Sequence, residues 1–266
     1  MGLGCRQLPE EDEMGNTANY PDEKPPGYDL INFTIRDMTE CGRFLRMAGG
    51  GANSMEEAAG RVVTYLYDNL IDGLTGERGC ALVRCFKTQD YSQLGLELQS
   101  IARSMLGGSD PPADMKCLTL LATVGEKAEW TDRRMSKGHQ AIPLPSEEAV
   151  HQIPMIRNLI KQLGLDISMV VKPDPKLLMD MEQRTYNVFY VPEALGSLHI
   201  PAQEEFVIPH GIRSVLGFGG ILPSGDIFTI IMFLKVGITQ DVATHFKTLS
   251  LNVKMALLPF DQTVFS

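Results

Sequence analysis

Apolar residues recur every three or four positions near the start of the chain, which is the spacing of an amphipathic helix. We predict this helix over Ile31–Ala48, ended by three consecutive glycines at residues 49–51. Ser54 and Glu57 then form the capping-box pattern that begins a second helix. The apolar positions of the second helix are Ala59, Val62, Val63, Leu66 and Leu70. Two amphipathic helices are therefore expected before the first strand.

Six short runs rich in apolar and β-branched residues predict strands. They lie at residues 80–87, 117–124, 167–171, 186–191, 213–222 and 227–236. The last two flank the sequence Pro-Ser-Gly-Asp at residues 223–226, whose composition is typical of a tight turn. We therefore expect these two strands to form an antiparallel hairpin.

Helical patterns separate the strands and follow the last one. They are predicted over residues 93–106, from Ser146, and from Pro154 to a cap at Gly164. The final helix carries apolar residues with heptad-like spacing. These residues are Val242, Phe246, Leu249, Val253 and Ala256. Because such spacing is typical of paired helices, we predict a homodimer formed through the helices Ile31–Ala48 and Val242–Leu257.

Composition narrows the class of protein. The chain has 266 residues, with 24 Lys and Arg against 33 Asp and Glu, and its net charge is −9. An acidic chain without a basic stripe disfavours nucleic-acid binding. No apolar window reaches the length of a membrane span, and the polar start does not resemble a signal peptide. We expect a cytoplasmic protein that binds neither nucleic acid nor membrane.

The same composition suggests one domain. Residues 1–28 are rich in acidic residues and proline, which predicts a flexible arm. Residues 29–260 show no further linker, so we predict one domain followed by a tail at 261–266. The five cysteines include no pair with metal or redox spacing, so we interpret them as reduced thiols, mostly buried in strands.

Several stretches of the chain resemble GAF sensory domains, and more specifically the GAF-type input regions of bacterial sensor histidine kinases. The most distinctive are NVFYVPEALGSLHIPAQEEFVIPHGIRSVLGFGGILPSG at residues 187–225 and KTLSLNVKMALLPF at residues 247–260. Others are SMEEAAGRVVTYLYDNL at 54–70, ALVRCFKT at 81–88, CLTLLATVGE at 117–126 and IPLPSEEAVHQIPM at 142–155. Together the stretches span about three-quarters of the chain.

The resemblance implies an α+β fold of the GAF/PAS type. An antiparallel sheet would carry the N- and C-terminal helices on one face and a helix- and loop-covered ligand pocket, around residues 139–218, on the other. It also implies a cytoplasmic regulatory role in two-component signalling, in which the C-terminal helix passes a signal to a histidine-kinase-type effector. We expect that effector to lie outside this sequence.

The candidate ligand-binding residues are chosen from the segment that the resemblance assigns to the pocket. They are His139, Phe189, His199, Phe206, Arg213 and Phe218. Arg213 would need an anion or a carbonyl if it pointed inward, whereas on an alternating strand it could equally point to solvent. The aromatic residues suit either a pocket or a packed core. The histidines lack metal-site spacing, so no metal is predicted and the cofactor stays unknown.

Two other functions stay open. A ligand-free dimerisation or scaffold domain would fill the pocket with its own side chains. A thiol-based GAF-type reductase would need a reactive cysteine among Cys80, Cys85 and Cys117, and burial opposes that. The glycines at residues 217–220 lack the Lys-Ser or Lys-Thr of a P-loop, so they suggest a bulge or a pocket wall. No catalytic motif is found, and an enzyme is not expected.

Overall fold

The computed structural model describes residues 27–173 and 186–265 and shows an α+β fold. The strands are β1 (Tyr28–Asp29), β2 (Leu70–Ile71), β3 (Cys80–Asp90), β4 (Lys116–Gly125), β5 (Ala141–Leu144), β6 (Phe189–Val191), β7 (Ser214–Ile221) and β8 (Ile227–Leu234). The α-helices are α1 (Ile35–Met47), α2 (Met55–Asn69), α3 (Leu96–Met105), α4 (Glu147–His151), α5 (Pro154–Leu163), α6 (Ile167–Val171) and α7 (Gln240–Leu257). Nearly all of the predicted N-terminal arm lies outside the described residues.

Six strands form one antiparallel sheet in the order β5-β4-β3-β8-β7-β6. The hairpin β7–β8 is confirmed, and its turn closes through a hydrogen bond from the Leu222 amide to the Asp226 carbonyl at 2.8 Å. The long strands β3 and β8 lie at the centre, so their side chains reach both faces of the sheet. The short pair β1 and β2 is parallel and forms a separate ladder.

The first and last helices lie together on one face of the sheet, as the resemblance implies. A core formed by α1, α2 and α7 with the sheet contains Leu45, Leu66 and Phe246. The rings of Phe33 and Phe246 stack with their centroids 4.8 Å apart. His245 Nδ1 lies 2.9 Å from the Phe33 carbonyl, which ties α7 to the turn before α1. Local signals also agree, because Thr34 and Ser54 cap α1 and α2 with their side chains.

The heptad stripe of the last helix has a different role from the predicted one. Val242, Phe246, Leu249, Val253 and Ala256 are all buried in this intramolecular core. Side chains that contact the sheet and α1 of their own chain are not free to form a dimer seam. The apolar repeat therefore reports packing within one chain, and a homodimer through the helices Ile31–Ala48 and Val242–Leu257 stays a prediction that would need other side chains.

The second face of the sheet is covered by α4, α5 and α6 together with the segment around residues 194–212. This layer has its own core, which includes Leu159, Leu163, Ile200 and Val207. Pro154 begins α5 and Gly164 ends it with a left-handed φ of 81°, as the sequence predicted. The sheet thus separates two apolar layers, which agrees with the α+β layer arrangement that the resemblance implies.

Two local predictions are corrected, and one strand was not predicted. Residues 167–171 form helix α6, because the amides of Met169 and Val170 bond back to the Asp166 carbonyl. A five-residue apolar run does not distinguish a strand from a helical turn. The strand predicted at 186–191 is limited to Phe189–Val191, and the four-residue edge strand β5 was not predicted.

The end of the chain packs against the domain. Val264 and Phe265 contact the first core, and the Met55 amide donates to the Thr263 carbonyl at 2.9 Å. Residues 261–265, assigned to a tail from the sequence, therefore complete the fold. Within the described ranges, none of the helices combines the length and hydrophobicity needed to cross a bilayer.

Candidate functional site

A cavity of about 550 Å³ lies between the sheet and the second helical layer. Its floor is formed by side chains of β3, β4 and β8, namely Leu82, Arg84, Phe86, Leu118, Ile231 and Phe233. The opposite wall comes from α5 and the segment before it, with Ile153, Met155, Ile156 and Leu159. This volume falls in the range of pockets that hold small organic ligands.

One charged side chain, Arg84, lies in the apolar floor. It is 9% exposed and occupies the middle of central strand β3. Its Nη2 donates to Ser136 Oγ at a long 3.4 Å, and its Nε has no hydrogen-bond partner. Among the described residues no carboxylate lies within ion-pair distance of Arg84. Burial lowers the pKa of Arg84 to about 10, so the guanidinium still carries its charge at neutral pH.

A second polar group without a partner lies beside Arg84. Thr123 on β4 is directly opposite Arg84 in the strand register, so both side chains lie on the cavity face. Thr123 is buried, and its Oγ1 has no hydrogen-bond partner. Buried polar atoms are normally satisfied, so two neighbouring exceptions mark this part of the floor as unusual.

His139 lies at the mouth of the cavity. Its Nδ1 is 2.8 Å from the Lys137 carbonyl, so Nδ1 carries the hydrogen and donates. Loss of surrounding water lowers the pKa of His139 below its usual value, and the Arg84 charge lowers it further. The imidazole is therefore neutral at pH 7, and its Nε2 can accept a hydrogen bond.

One part of the cavity lining is aromatic. Trp130, Phe206 and Phe233 form it, and the Phe206 ring meets Phe233 edge-on at 4.8 Å and Trp130 at 5.5 Å. The His210 ring packs on Trp130 at 4.6 Å. Trp130 is the single tryptophan of the chain and is buried. The cavity lining thus combines a cationic centre with an aromatic part.

Charged residues of both signs surround the opening. Lys127 and Lys137 line it together with Glu129 and Glu205, and all four are exposed. The ammonium of Lys127 lies 5.2 Å from the centre of the Trp130 ring. Because these side chains are in contact with water, their charges are screened far more than that of Arg84.

The six candidate residues from the sequence do not converge. His139 and Phe206 line the cavity. Phe189 is fully buried in the core of the same face, where it packs beside Gly217. The remaining three lie elsewhere.

His199 precedes the cavity-lining Ile200, is half-buried, and has an unpartnered Nδ1. Arg213 lies just before β7 and is exposed, so it needs no internal anion. Phe218 lies on the opposite face of the sheet, 5.9 Å from the Phe246 ring, because side chains alternate along β7.

Arg84 is the residue that the sequence analysis missed. The available signal was one arginine in the middle of the apolar strand CALVRCFK at residues 80–87. The same argument about a buried guanidinium was applied to Arg213, which stands at a strand end. A position in the middle of a central strand is the better indicator of a buried charge, because both faces of such a strand are covered.

The cysteines offer no reactive thiol within the described residues. Cys41, Cys80, Cys85 and Cys117 are unpaired and buried. Burial raises the pKa of Cys80 and of Cys117 to about 12, and it raises the pKa of the other two as well. The part of the chain that is described also has no group of three His, Cys, Asp or Glu side chains placed to hold a metal ion.

No protein-family model matches the chain, and no curated protein sequence matches it. Among solved structures, one similar chain is the GAF domain of a phosphoenolpyruvate-protein phosphotransferase from Coxiella burnetii. It is 12% identical with a TM-score of 0.38, over 85% of this chain and 94% of that one. Another is the N-acylhomoserine lactone dependent LuxR family factor CepR2 from Burkholderia cenocepacia, 10% identical with a TM-score of 0.40, over 84% and 94%.

A third is the phycoerythrobilin-bound GAF domain of a cyanobacterial phytochrome, 8% identical with a TM-score of 0.37, over 86% of this chain and 99% of that one. These identities and TM-scores are low. The description of the fold therefore rests on the strand order and the helix layers given above.

Proposed function

We propose that this chain is a ligand-responsive regulatory domain that binds a small organic molecule in the cavity between the sheet and α5. The observation that carries the proposal is the cavity itself. It is lined mainly by apolar side chains with a few polar groups, has the size of pockets that hold small organic ligands, and opens to the surface among charged residues. A domain that only dimerised would gain nothing from keeping this space open.

The proposed route of the signal is through β8. This strand presents Ile231 and Phe233 to the cavity and Ile230 and Met232 to the core below α7. Five residues after β8 the chain enters α7, and the Tyr190 hydroxyl donates to the Ile238 carbonyl in that connection. A ligand that displaced β8 would therefore act on the start of α7. The shift cannot exceed the difference in the ligand's affinity for the two arrangements.

Output through a homodimer and a histidine-kinase-type effector is part of the same proposal. Because the heptad stripe is buried, pairing would use the outward faces of α1 and α7. These faces carry the exposed apolar residues Ile35, Met47, Leu251 and Met255. Sedimentation of the full chain at tens of micromolar tests the point: Leu251→Glu should convert a dimer to a monomer. A wild-type chain that sediments as a monomer would restrict the proposal to signalling within one chain.

The central experiment uses the fluorescence of Trp130. Small molecules that copurify with the full chain would be extracted, identified by mass spectrometry and titrated back onto stripped protein. Binding should change the Trp130 emission and raise the unfolding temperature, by an amount that corresponds to about 2.7 kcal/mol at 100 times the dissociation constant. Hydrogen exchange of the α7 amides, with and without the compound, would then test transmission.

A cavity-blocking variant provides the control. Ile231→Phe adds volume to the floor without adding charge, and it should abolish the response, whereas Leu96→Phe at an exposed position of α3 should not. Compounds that affect wild type and Ile231→Phe equally would show that binding occurs elsewhere. If no compound binds and hydrogen exchange never changes, the ligand-free scaffold becomes the better description.

A further inference from the structure

We propose that the ligand of this cavity is an amphipathic organic carboxylate, with its carboxylate on Arg84 and its apolar body against the aromatic part of the lining. This inference rests on the proposed function and adds the chemical class of the ligand. It makes Arg84 the residue that determines specificity.

The charge of Arg84 is the first step of the argument. A buried guanidinium without a carboxylate is costly, because it has lost its water and gained no partner. Arg84 is 9% exposed, its Nε is unpartnered, and its contact with Ser136 Oγ is long at 3.4 Å. A carboxylate from a ligand would supply the missing acceptors in the paired geometry that guanidinium groups favour.

The neighbours of Arg84 fit the same headgroup. Ser136 Oγ, which accepts from Arg84, is a buried hydroxyl of the cavity lining and could donate to the second carboxylate oxygen. His139 also lines the cavity near Arg84, but its neutral ring offers no positive charge there. Thr123, the unpartnered residue opposite Arg84 in the register, does not itself line the cavity. The headgroup position therefore has one fixed positive charge and one neutral donor, which suits a monoanion.

The remainder of the cavity requires an apolar body. Beyond Arg84 and Ser136, the floor and the α5 wall are apolar, and Trp130, Phe206 and Phe233 form an aromatic part of the lining. The acidic rim residues Glu129 and Glu205 are exposed, so they discourage anions at the opening only weakly. A free inorganic anion would satisfy Arg84 but would leave the apolar cavity empty.

The test compares decanoate with decanamide, which has the same chain and lacks the charge. Both would be titrated onto the full chain below their aggregation limits, with Trp130 emission as the readout. Wild type should bind decanoate more tightly, and Arg84→Met should weaken decanoate by about 10- to 100-fold. Decanamide affinity should change by less than about threefold, since it makes no charged contact. Acetate alone should not bind measurably.

Three controls keep the result interpretable. Arg134→Met removes an exposed arginine of the neighbouring loop and should leave both affinities unchanged. Arg84→Lys keeps the charge but loses the paired geometry, and it should bind decanoate with intermediate affinity. Without ligand, Arg84→Met should unfold at the same or a higher temperature than wild type, because it removes an uncompensated buried charge.

Each contrary outcome has its own meaning. Equal affinity for decanoate and decanamide, unchanged by Arg84→Met, would overturn the inference and leave the proposed function standing. A clear loss of stability in ligand-free Arg84→Met would show that Arg84 has a partner inside the chain, and it would also overturn the inference. Binding of neither compound, with no response of Trp130 to copurified molecules, would count against the proposed function itself.

Discussion

Lys87 Nζ lies 2.8 Å from Asp226 Oδ2, and both residues are buried although 139 positions separate them in the chain. The other oxygen of Asp226 accepts from Lys116 Nζ at 2.9 Å. Lys116 in turn contacts Asp90 at 2.8 Å, and Lys87 lies 3.5 Å from Asp261. The Asp226 carboxylate therefore joins β3, β4 and the β7–β8 turn.

Asp226→Asn is expected to destabilise the protein by about 3–5 kcal/mol, since it removes the negative charge that two buried lysines share. Asp90 and Asp261 compensate in part, because they remain in contact with Lys116 and Lys87. Urea denaturation followed by circular dichroism measures the change. Asp68→Asn removes the partner of Arg78 from a solvent-exposed pair and should cost at most about 1 kcal/mol. Equal losses in the two variants would contradict this account.

The turn that holds Asp226 shows what the sequence could predict. Pro223–Asp226 has turn composition, so the hairpin was identified from local chemistry alone. The ion pair with Lys87 could not be identified in this way, because it depends on β3 lying beside β8. Strand order is not encoded in the spacing of residues. Arg84 was missed for the same reason: only the covered sheet face makes its charge unusual. Local periodicity identified the helices, whereas tertiary context decided which face each stripe would contact.

Phe246→Ala tests whether the stripe of α7 serves the monomer. Phe246 is fully buried between Phe33 and Phe218, so the cavity left by its removal should cost about 3–5 kcal/mol. Leu96→Ala, on α3 and 83% exposed, should change the free energy of unfolding by less than about 0.5 kcal/mol. Both values should be independent of protein concentration. If the loss of unfolding free energy in Phe246→Ala became larger on dilution, the apolar stripe of α7 would be part of a dimer interface.

Gly219→Ala tests why β7 is rich in glycine. A Cβ at Gly219 would overlap the Phe228 carbonyl oxygen and lie 2.9 Å from Thr229 Cα, and these backbone atoms cannot move aside cheaply. We expect a loss of about 1–3 kcal/mol or more in thermal unfolding. At Gly220 the nearest atom is a Phe228 ring carbon at 3.3 Å, so Gly220→Ala should cost less. A reversed order would mean that the glycines serve something other than the close approach of β8.

Thiol reactivity tests the reductase alternative. With a pKa of about 12, the thiols of Cys80 and Cys117 are ionised to only about one part in ten thousand at pH 8. In a Cys5→Ser variant, iodoacetamide at about pH 8 should therefore leave the folded protein unmodified for hours. The same variant in concentrated guanidinium should be modified at every cysteine, as mass spectrometry would show. Rapid modification of one buried cysteine in the folded state would revive the enzyme hypothesis.

The pH dependence of stability should carry a contribution from His139. Its pKa in the folded protein lies below the usual 6.5, so the unfolded chain takes up the proton first as the pH falls. The contribution is fully favourable above about pH 6.5 and is lost as the pH falls from there to the folded pKa. His139→Asn keeps a donor for the Lys137 carbonyl but does not titrate. As the pH falls from about 7.5 to 5.5, the unfolding free energy of this variant should therefore decrease less than that of wild type.

Arg84 is a named cause of that shift, and it provides the control. In an Arg84→Met background the loss of stability at low pH should be smaller, because the Coulombic cause is removed while the loss of water around the ring remains. Direct NMR titration of the His139 ring should give a pKa below 6.5 in wild type and a higher value in Arg84→Met. Decanoate on Arg84 would add a negative charge near the imidazole and should raise the same pKa. If neither Arg84→Met nor decanoate changed the pKa of His139, the ring would be too far from Arg84 to belong to the site.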